Sequence, residues 1–154
     1  MQGASGDSVW GEFERYCDEK GRVAIPPEFR TVLGDALVAM RGPDCAVALF
    51  SVETWARIEE QLGAAGAPAD AGFLQRMLAG RVTAKLDRQN RLTLPGFLRR
   101  WAGVEPGSAV VLVGMGGKAE IWSKDTWDRY VTGFTRDRVA EAVRAAGISD
   151  LWGP

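Results

Sequence analysis

The sequence predicts an α+β fold, mainly β with short helices, in which one chain contains two copies of the same unit. Three observations lead to this class. The nine-residue segment DEKGRVAIP at 18–26 returns as DRQNRLTLP at 87–95, a constant offset of 69 positions. Apolar and polar residues alternate around both segments, which is the period of a half-buried strand. Each segment then runs into a stretch that opens with Pro and closes with Gly, the asymmetry of a short helix.

A strand, a tight turn and a second strand are predicted at the start of each copy, forming a hairpin. Residues 82–86 show the alternation of the first strand clearly. A type I turn favours Asp at its first position and Gly, in a left-handed conformation, at its fourth. Asp18 and Gly21 fit this pattern. Asp87 and Asn90 fit it as well, because Asn tolerates positive φ better than most residues.

Each unit continues with a short helix, two more strands and a longer helix. The short helices are predicted over 26–34 and 95–103, and apolar β-rich stretches follow both. The longer helices begin at Ser51 and Ser123, which are natural N-caps in the repeated pattern Ser-x-x-Thr-Trp. One unit alone buries little apolar surface because it is short. Two units that share one core bury more, which gives a physical reason for the duplication.

The predicted domain organisation has five parts. They are a flexible N-terminal tail (1–10), a first repeat (11–62), a linker with a short helix (63–80), a second repeat (81–134), and a C-terminal helix and tail (135–154).

Composition excludes several classes of protein. Hydrophobic residues make up 46% and charged residues 25%, which are ordinary values for a soluble globular chain. No apolar run approaches the roughly 18 residues of a membrane span, and the N-terminus lacks the pattern of a secretory signal, so a cytoplasmic location is expected. The chain has no histidine, which disfavours hydrolytic triads and zinc sites. Cys17 and Cys45 are expected to be buried, unpaired thiols. No catalytic residue, metal ligand or cofactor site is predicted.

The turn does not by itself require the arginine that follows it. Arg22 and Arg91 stand directly after the two turns, and Lys20 and Arg88 add positive charge within them. The net charge of the whole chain is only −1, although residues 74–101 carry seven cations against one acid. A rigid turn that presents two cations suits an anionic polymer, since Arg forms bidentate bonds with phosphate oxygens or a guanine edge. The residues alone leave open a solvated hairpin or a DNA contact.

The doubled motif, together with the later EIWSKDTW segment, resembles the MraZ family of bacterial proteins, within the wider AbrB-like group of swapped-hairpin DNA binders. The resemblance covers residues from about Gly11 to about Phe134. It implies two AbrB-like hairpin units packed as a pseudo-two-fold double barrel within one chain. It also implies closed homo-oligomeric rings that regulate transcription. The partner would be double-stranded DNA, at direct repeats upstream of the protein's own gene in the division and cell-wall gene cluster, which places the protein at the nucleoid.

The resemblance also assigns roles to residues. Arg22 and Arg91 would contact DNA, and the supporting cations would be Lys20 and Arg88. The turns would be shaped by Asp18, Gly21, Asp87 and Asn90. The family usually has Gly where this chain has Asn90, and Glu19 adds an acid to the first turn. The first copy is therefore expected to bind DNA less strongly than the second, or to serve mainly in assembly.

Two other functions stay open at this stage. One is a ring-forming scaffold that does not bind DNA, and the other is an AbrB-like antitoxin that regulates its own promoter. The fused double unit argues against the antitoxin. An enzyme is disfavoured, because the nearest approach to a phosphate-binding loop, VGMGGK at 113–118, is too short and is expected to form a hairpin turn.

Overall fold

The computed structural model of the chain describes residues 7–64 and 71–153. Residues 1–6 of the predicted tail and residues 65–70 of the predicted linker lie outside the described part. The described residues up to Lys124 and those from Asp125 onward form two compact units.

The elements of the first half follow the predicted order. They are β1 (Val9–Tyr16), β2 (Arg22–Ala24), a 3-10 turn (Pro27–Phe29) that continues into α1 (Arg30–Leu33), β3 (Ala36–Arg41), a short 3-10 turn (Pro43–Cys45), β4 (Val47–Ser51) and α2 (Val52–Ala64). Strand β1 thus begins two residues before the predicted start of the first repeat. The hydroxyl of Ser51 accepts a hydrogen bond from the backbone N–H of Thr54 at 3.0 Å, which confirms the predicted N-cap.

The elements of the second half include counterparts of these strands and longer helices, with one additional helix before them and two after them. They are α3 (Ala71–Leu78), β5 (Val82–Lys85), β6 (Arg91–Thr93), α4 (Gly96–Ala102), β7 (Ala109–Gly116), β8 (Ala119–Ser123), α5 (Lys124–Val131), α6 (Arg136–Ala145) and α7 (Ser149–Trp152). The predicted turn between β7 and β8 is confirmed by a hydrogen bond from the Met115 N–H to the Lys118 carbonyl at 2.9 Å. The last four-residue helix, α7, falls where the sequence predicted only a tail.

The predicted fold class is confirmed, although more of the described residues lie in helices than in strands. A six-stranded antiparallel sheet has the order β1-β7-β8-β4-β3-β5, and β2 and β6 form a separate two-stranded sheet. The order is symmetric about the centre of the sheet. Strand β1 at one edge corresponds to β5 at the other, β7 corresponds to β3, and β8 corresponds to β4. Val23 of β2 faces Leu92 of β6, its own equivalent 69 positions later. The two repeats are therefore interleaved about a pseudo-two-fold axis.

The hairpins are swapped between the repeats. Within the first hairpin, the strands meet only at the tip, through the single bridge between Cys17 and Val23. Strand β1 then pairs along its whole length with β7 of the second repeat, and β5 pairs with β3 of the first. The alternation of apolar residues predicts a strand but does not specify its partner, whereas the swapped pairing agrees with what the resemblance to swapped-hairpin proteins implied.

The main core lies where the repeats interleave. Phe29 and Leu98, which are equivalent positions of the two short helices, are both fully buried. Cys17 is buried as expected, whereas Cys45 is exposed because it sits in the short 3-10 turn between β3 and β4. None of the described helices is long and apolar enough to cross a membrane.

Candidate nucleic-acid interface

The first turn is built around the carboxylate of Asp18. Its Oδ1 accepts hydrogen bonds from the backbone N–H groups of Lys20 and Arg22, both at 2.9 Å. The Asp18 carbonyl accepts from the Gly21 N–H at 3.0 Å, and the Asp18 N–H donates to the Arg22 carbonyl at 2.9 Å. Gly21 has a φ of +80°, the left-handed conformation that the sequence predicted.

The second turn repeats these bonds around Asp87. Its Oδ1 accepts from the backbone N–H of Gln89 at 2.8 Å and from that of Arg91 at 2.9 Å. The Asn90 N–H donates to the Asp87 carbonyl at 3.0 Å, and Asn90 adopts a φ of +60°. Asn therefore takes the conformation that Gly takes in the first turn, and the geometry of the turn is retained.

Each aspartate also holds the arginine at the end of its own turn. Arg22 Nε donates to Asp18 Oδ2 at 2.7 Å, and Arg91 Nε donates to Asp87 Oδ2 at 2.8 Å. The arginine side chains retain 28% and 29% of their exposure, and the carboxylates retain 35% and 36%, so these ion pairs are only partly buried. This contact uses one edge of the guanidinium group and fixes its direction. The arginine thus has a local structural role that the sequence analysis did not foresee.

The two turns lie side by side. Pairing of β2 with β6 sets Arg22 opposite Thr93 and Ala24 opposite Arg91. Arg91 Nη1 lies 3.9 Å from Asp18 Oδ2, a contact that joins the two turns directly. The structure therefore brings the two predicted arginines into one surface.

A further arginine from each short helix reaches the turn of the opposite repeat. Arg30 Nη1 donates to the side-chain oxygen of Asn90 at 2.8 Å, and Arg30 also pairs with Asp35. Its equivalent, Arg99, donates from Nε to the Leu94 carbonyl at 3.1 Å. Arg99 lies so close to Gly21 that a Cβ there would sit 3.0 Å from Arg99 Nε. The constant offset between the copies marked these two positions as equivalent, but only the swapped pairing shows what they contact.

The remaining predicted cations stand at the tips of the turns. Lys20 and Arg88 are exposed, and neither takes part in a salt bridge with any residue that the structure describes. Glu19 is exposed beside Lys20. The first turn therefore presents both signs of charge at its tip, and the second presents a cation alone.

Hydrogen bonds hold the turn carboxylates in their charged form. The backbone N–H of Arg22 lowers the pKa of Asp18 below its ordinary value, and the Arg22 side chain and the Lys20 N–H act in the same direction. Asp87 has a lowered pKa for the same reason, with Arg91 as the first cause. Both carboxylates are thus ionised near neutral pH and neutralise part of the charge of their arginines.

This surface consists mainly of charged side chains, which are arginine, lysine and aspartate. Within residues 7–64 and 71–153, no group of three or more His, Cys, Asp or Glu residues is placed to hold a metal ion. The carboxylates of Asp18 and Asp87 are engaged by N–H donors of their own turns. Two stiff turns that present arginine and lysine side chains have the features of the class of protein that binds anionic partners.

Comparison with known proteins identifies the family of the chain. The family model described as "MraZ protein, putative antitoxin-like" matches residues 9–75 and 77–146. The chain is similar to the transcriptional regulator MraZ of Caldanaerobacter subterraneus, with 38% identity over 79% of this chain and 85% of that protein. The protein of the same name from Bifidobacterium longum is 38% identical over 79% of this chain and 81% of its own length. That of Oenococcus oeni is 35% identical over 85% of this chain and 93% of its length.

The chain belongs to the MraZ family. The matched segments cover both repeats, which agrees with the two-unit organisation predicted from the doubled motif. The names of these relatives describe regulators of transcription and not enzymes.

Proposed function

We propose that this protein is a transcriptional regulator that binds double-stranded DNA through the surface formed by its two arginine turns. The observation that carries the proposal is the side-by-side placement of the turns, each of which fixes its arginine through its own aspartate. A fixed guanidinium group loses less conformational freedom on binding than a mobile one, and it suits the bidentate geometry of phosphate oxygens.

The cations of this surface have defined roles. Arg22 and Arg91 contact DNA, and Lys20 and Arg88 support them with phosphate contacts from the tips of the turns. Nε of each arginine is bound to its aspartate, and Arg91 Nη1 also lies 3.9 Å from Asp18, so the remaining terminal nitrogens are the atoms that face the nucleotide. Contacts of this kind position a protein on the duplex, and contacts to base edges then supply specificity.

Assembly compensates for the modest charge of a single copy. The chain has a net charge of −1, so one pair of turns supplies few phosphate contacts. A closed ring of identical chains presents many turns to successive DNA repeats, and each bound turn raises the effective concentration of the next. Regularly spaced direct repeats upstream of the protein's own gene, in the division and cell-wall gene cluster, are the matching target. This target places the protein in the cytoplasm, at the nucleoid.

The decisive variant is the double substitution Arg22→Ala and Arg91→Ala. It should abolish retardation of DNA from upstream of the gene in a gel-shift assay, while circular dichroism and assembly size stay unchanged. A matched control is Arg136→Ala with Arg138→Ala, which removes two exposed arginines of α6 and should leave DNA retardation unchanged. Unchanged DNA binding by the turn variant would refute the assignment of the site.

The same assays separate the alternatives. A large assembly without DNA affinity, measured by size exclusion at several concentrations, would identify a scaffold. The description of the family as antitoxin-like keeps open the antitoxin-type autoregulator, which also binds its own promoter. That alternative requires a partner toxin that co-purifies with the protein, whereas the regulator proposed here binds DNA without one.

A further inference from the structure

An apolar cavity of about 730 Å³ lies on the side of the six-stranded sheet that faces away from the main core. Alternation along β3 separates the two sides, since Leu37 and Ala39 belong to the main core and Val38 and Met40 to a second cluster. The apolar side chains around the cavity come from strands and two helices: Met40, Ala48, Phe50, Phe73, Met77 and Trp101. This volume falls within the range of about 300–1,000 Å³ typical of small-molecule sites.

The wall formed by Trp101 is held in place and is apolar. Its Nε1 donates to the carbonyls of Gly42 at 3.1 Å and Ala46 at 3.0 Å. The only polar atom of the indole is therefore satisfied by backbone groups. A bound molecule meets the carbon face of the ring.

Three cations border the cavity, and none of the acidic residues in the described ranges 7–64 and 71–153 lines it. These are Arg41, Arg76 and Lys118, and none of them forms a salt bridge with any residue in the described ranges. The nearest carboxylate along β8, that of Glu120, accepts a hydrogen bond from Trp122 Nε1 at 2.9 Å and does not line the cavity.

Aromatic rings contact two of these cations. The Arg41 guanidinium carbon lies 5.1 Å from the centre of the Phe97 ring and 6.0 Å from that of Trp101. Lys118 Nζ lies 5.9 Å from the centre of the Phe50 ring. Cation–π contacts stabilise such groups only partly, so an anion at the rim would find positive charge that no carboxylate in the described part of the chain has neutralised.

We propose that this cavity binds an amphipathic anion, a hydrocarbon body that ends in a carboxylate or a monophosphate. The hydrocarbon body occupies the space between the strand side chains and α3. The anionic end lies at the rim beside Arg76 and Lys118, where Arg41 adds to the positive potential. The inference stands independently of DNA binding, because the cavity shares no residue with the arginine turns.

The test uses the full chain with methyl-¹³C methionine. The sequence has four methionines, and Met40 and Met77 line the cavity while Met115 lies elsewhere on β7. Titration with decanoate should shift the Met40 and Met77 methyl signals and leave Met115 in place. Octanoate, which is two methylenes shorter, should bind roughly fifteenfold more weakly. A parallel titration with decyl phosphate shows whether the site prefers a carboxylate or a monophosphate.

Charge variants test the role of the rim. Lys118→Ala and Arg76→Ala should each weaken decanoate binding by about two- to fivefold. Arg138→Ala, which removes an exposed arginine of α6, is the matched control and should leave decanoate binding unchanged.

Three results would overturn the proposal. One is that neither anion shifts the two cavity methionines below the concentration at which the probe forms micelles. Another is equal affinity for decyltrimethylammonium, because that probe has the same chain and the opposite charge. The third is a shift of the cavity methionines with protein concentration alone, which would show that a second copy of the chain fills the cavity.

Discussion

The two turns share one hydrogen-bond framework but differ in what surrounds it. In both, a carboxylate binds two backbone N–H groups and the Nε of the arginine four positions later. Residues 18–22 contain two acids and two bases, whereas residues 87–91 contain one acid and two bases. Arg99 lies against the bare backbone of Gly21, whereas Arg30 binds the side chain of Asn90. The aspartate therefore sets the shape of each turn, and the other positions set its charge.

The difference is informative because symmetry relates the two turns. Strands β2 and β6 pair with each other about the pseudo-two-fold axis. Both turns therefore rest on the same buried seam, which is the contact between Val23 of β2 and Leu92 of β6. A change in the seam should affect both turns together. A change in one turn should affect that turn alone.

The largest effect is expected at the seam. Leu92 is 1% exposed and faces Val23, so Leu92→Ala should lower the free energy of unfolding by about 2–5 kcal/mol. Chemical denaturation should show one cooperative transition, because the repeats are interleaved. Thr93→Ala, at the exposed neighbour in β6, should stay within about 0.5 kcal/mol. Two separated transitions in the Leu92 variant would contradict a shared core.

Comparison of the two arginines should give the next largest effect. Arg91→Ala should weaken DNA binding by about tenfold or more, as expected for loss of a hydrogen bond to a charged group. Arg22→Ala should weaken it less, because Glu19 already offsets positive charge at the first turn. Fluorescence anisotropy with one DNA duplex measures both variants. A larger loss from Arg22→Ala would reverse the assigned order of the turns.

A smaller effect, on stability, is expected from substitution of the residue with positive φ in each turn, Gly21 or Asn90. Gly21→Ala should lower the free energy of unfolding by about 1–2 kcal/mol, because an L-residue is strained at a φ of +80°. It should also displace Arg99, which lies against this position. Asn90→Gly should change stability by no more than about 0.5 kcal/mol, because Gly relieves the strain of positive φ and so offsets the loss of the exposed hydrogen bond from Arg30. Thermal unfolding of the two variants measures the difference, and equal losses would show that backbone strain at positive φ does not set the stability of the first turn.

The smallest effect is expected on stability as the pH is lowered. The pKa values of Asp18 and Asp87 are lowered in the folded protein, so their contribution to stability is fully present above the ordinary Asp value, about 3.9. It is lost as the pH falls through the lowered values, where the carboxylates take up protons. Unfolding curves from pH 7 to pH 2 should therefore show a shallower acid loss in Asp87→Asn than in the wild type. Identical profiles would show that Asp87 is not held in its charged form.

Much of this architecture could be predicted from sequence, because local chemistry decides it. The turn at Asp18 follows from Asp at the first position and Gly at the fourth, and Asn90 follows from its tolerance of positive φ. The pairing of β2 with β6 could not be predicted, since alternation gives a strand its faces but not its neighbour. The bond from Arg22 to Asp18 was also missed, because the sequence shows that a cation follows the turn but not which atoms it uses. The cavity beside Trp101 also could not be predicted, because its residues are far apart in the chain and no local sequence pattern indicates that they meet.

The salt dependence of DNA affinity tests the central claim most directly. Each phosphate that the protein neutralises contributes about −0.9 to the slope of log affinity against log salt concentration. Arg22→Ala and Arg91→Ala should each make this slope shallower by about 0.9 for every copy that engages DNA, with Arg138→Ala unchanged. If both turn variants kept the wild-type slope, their arginines would not lie against the nucleotide backbone, and the assignment of this surface would be wrong.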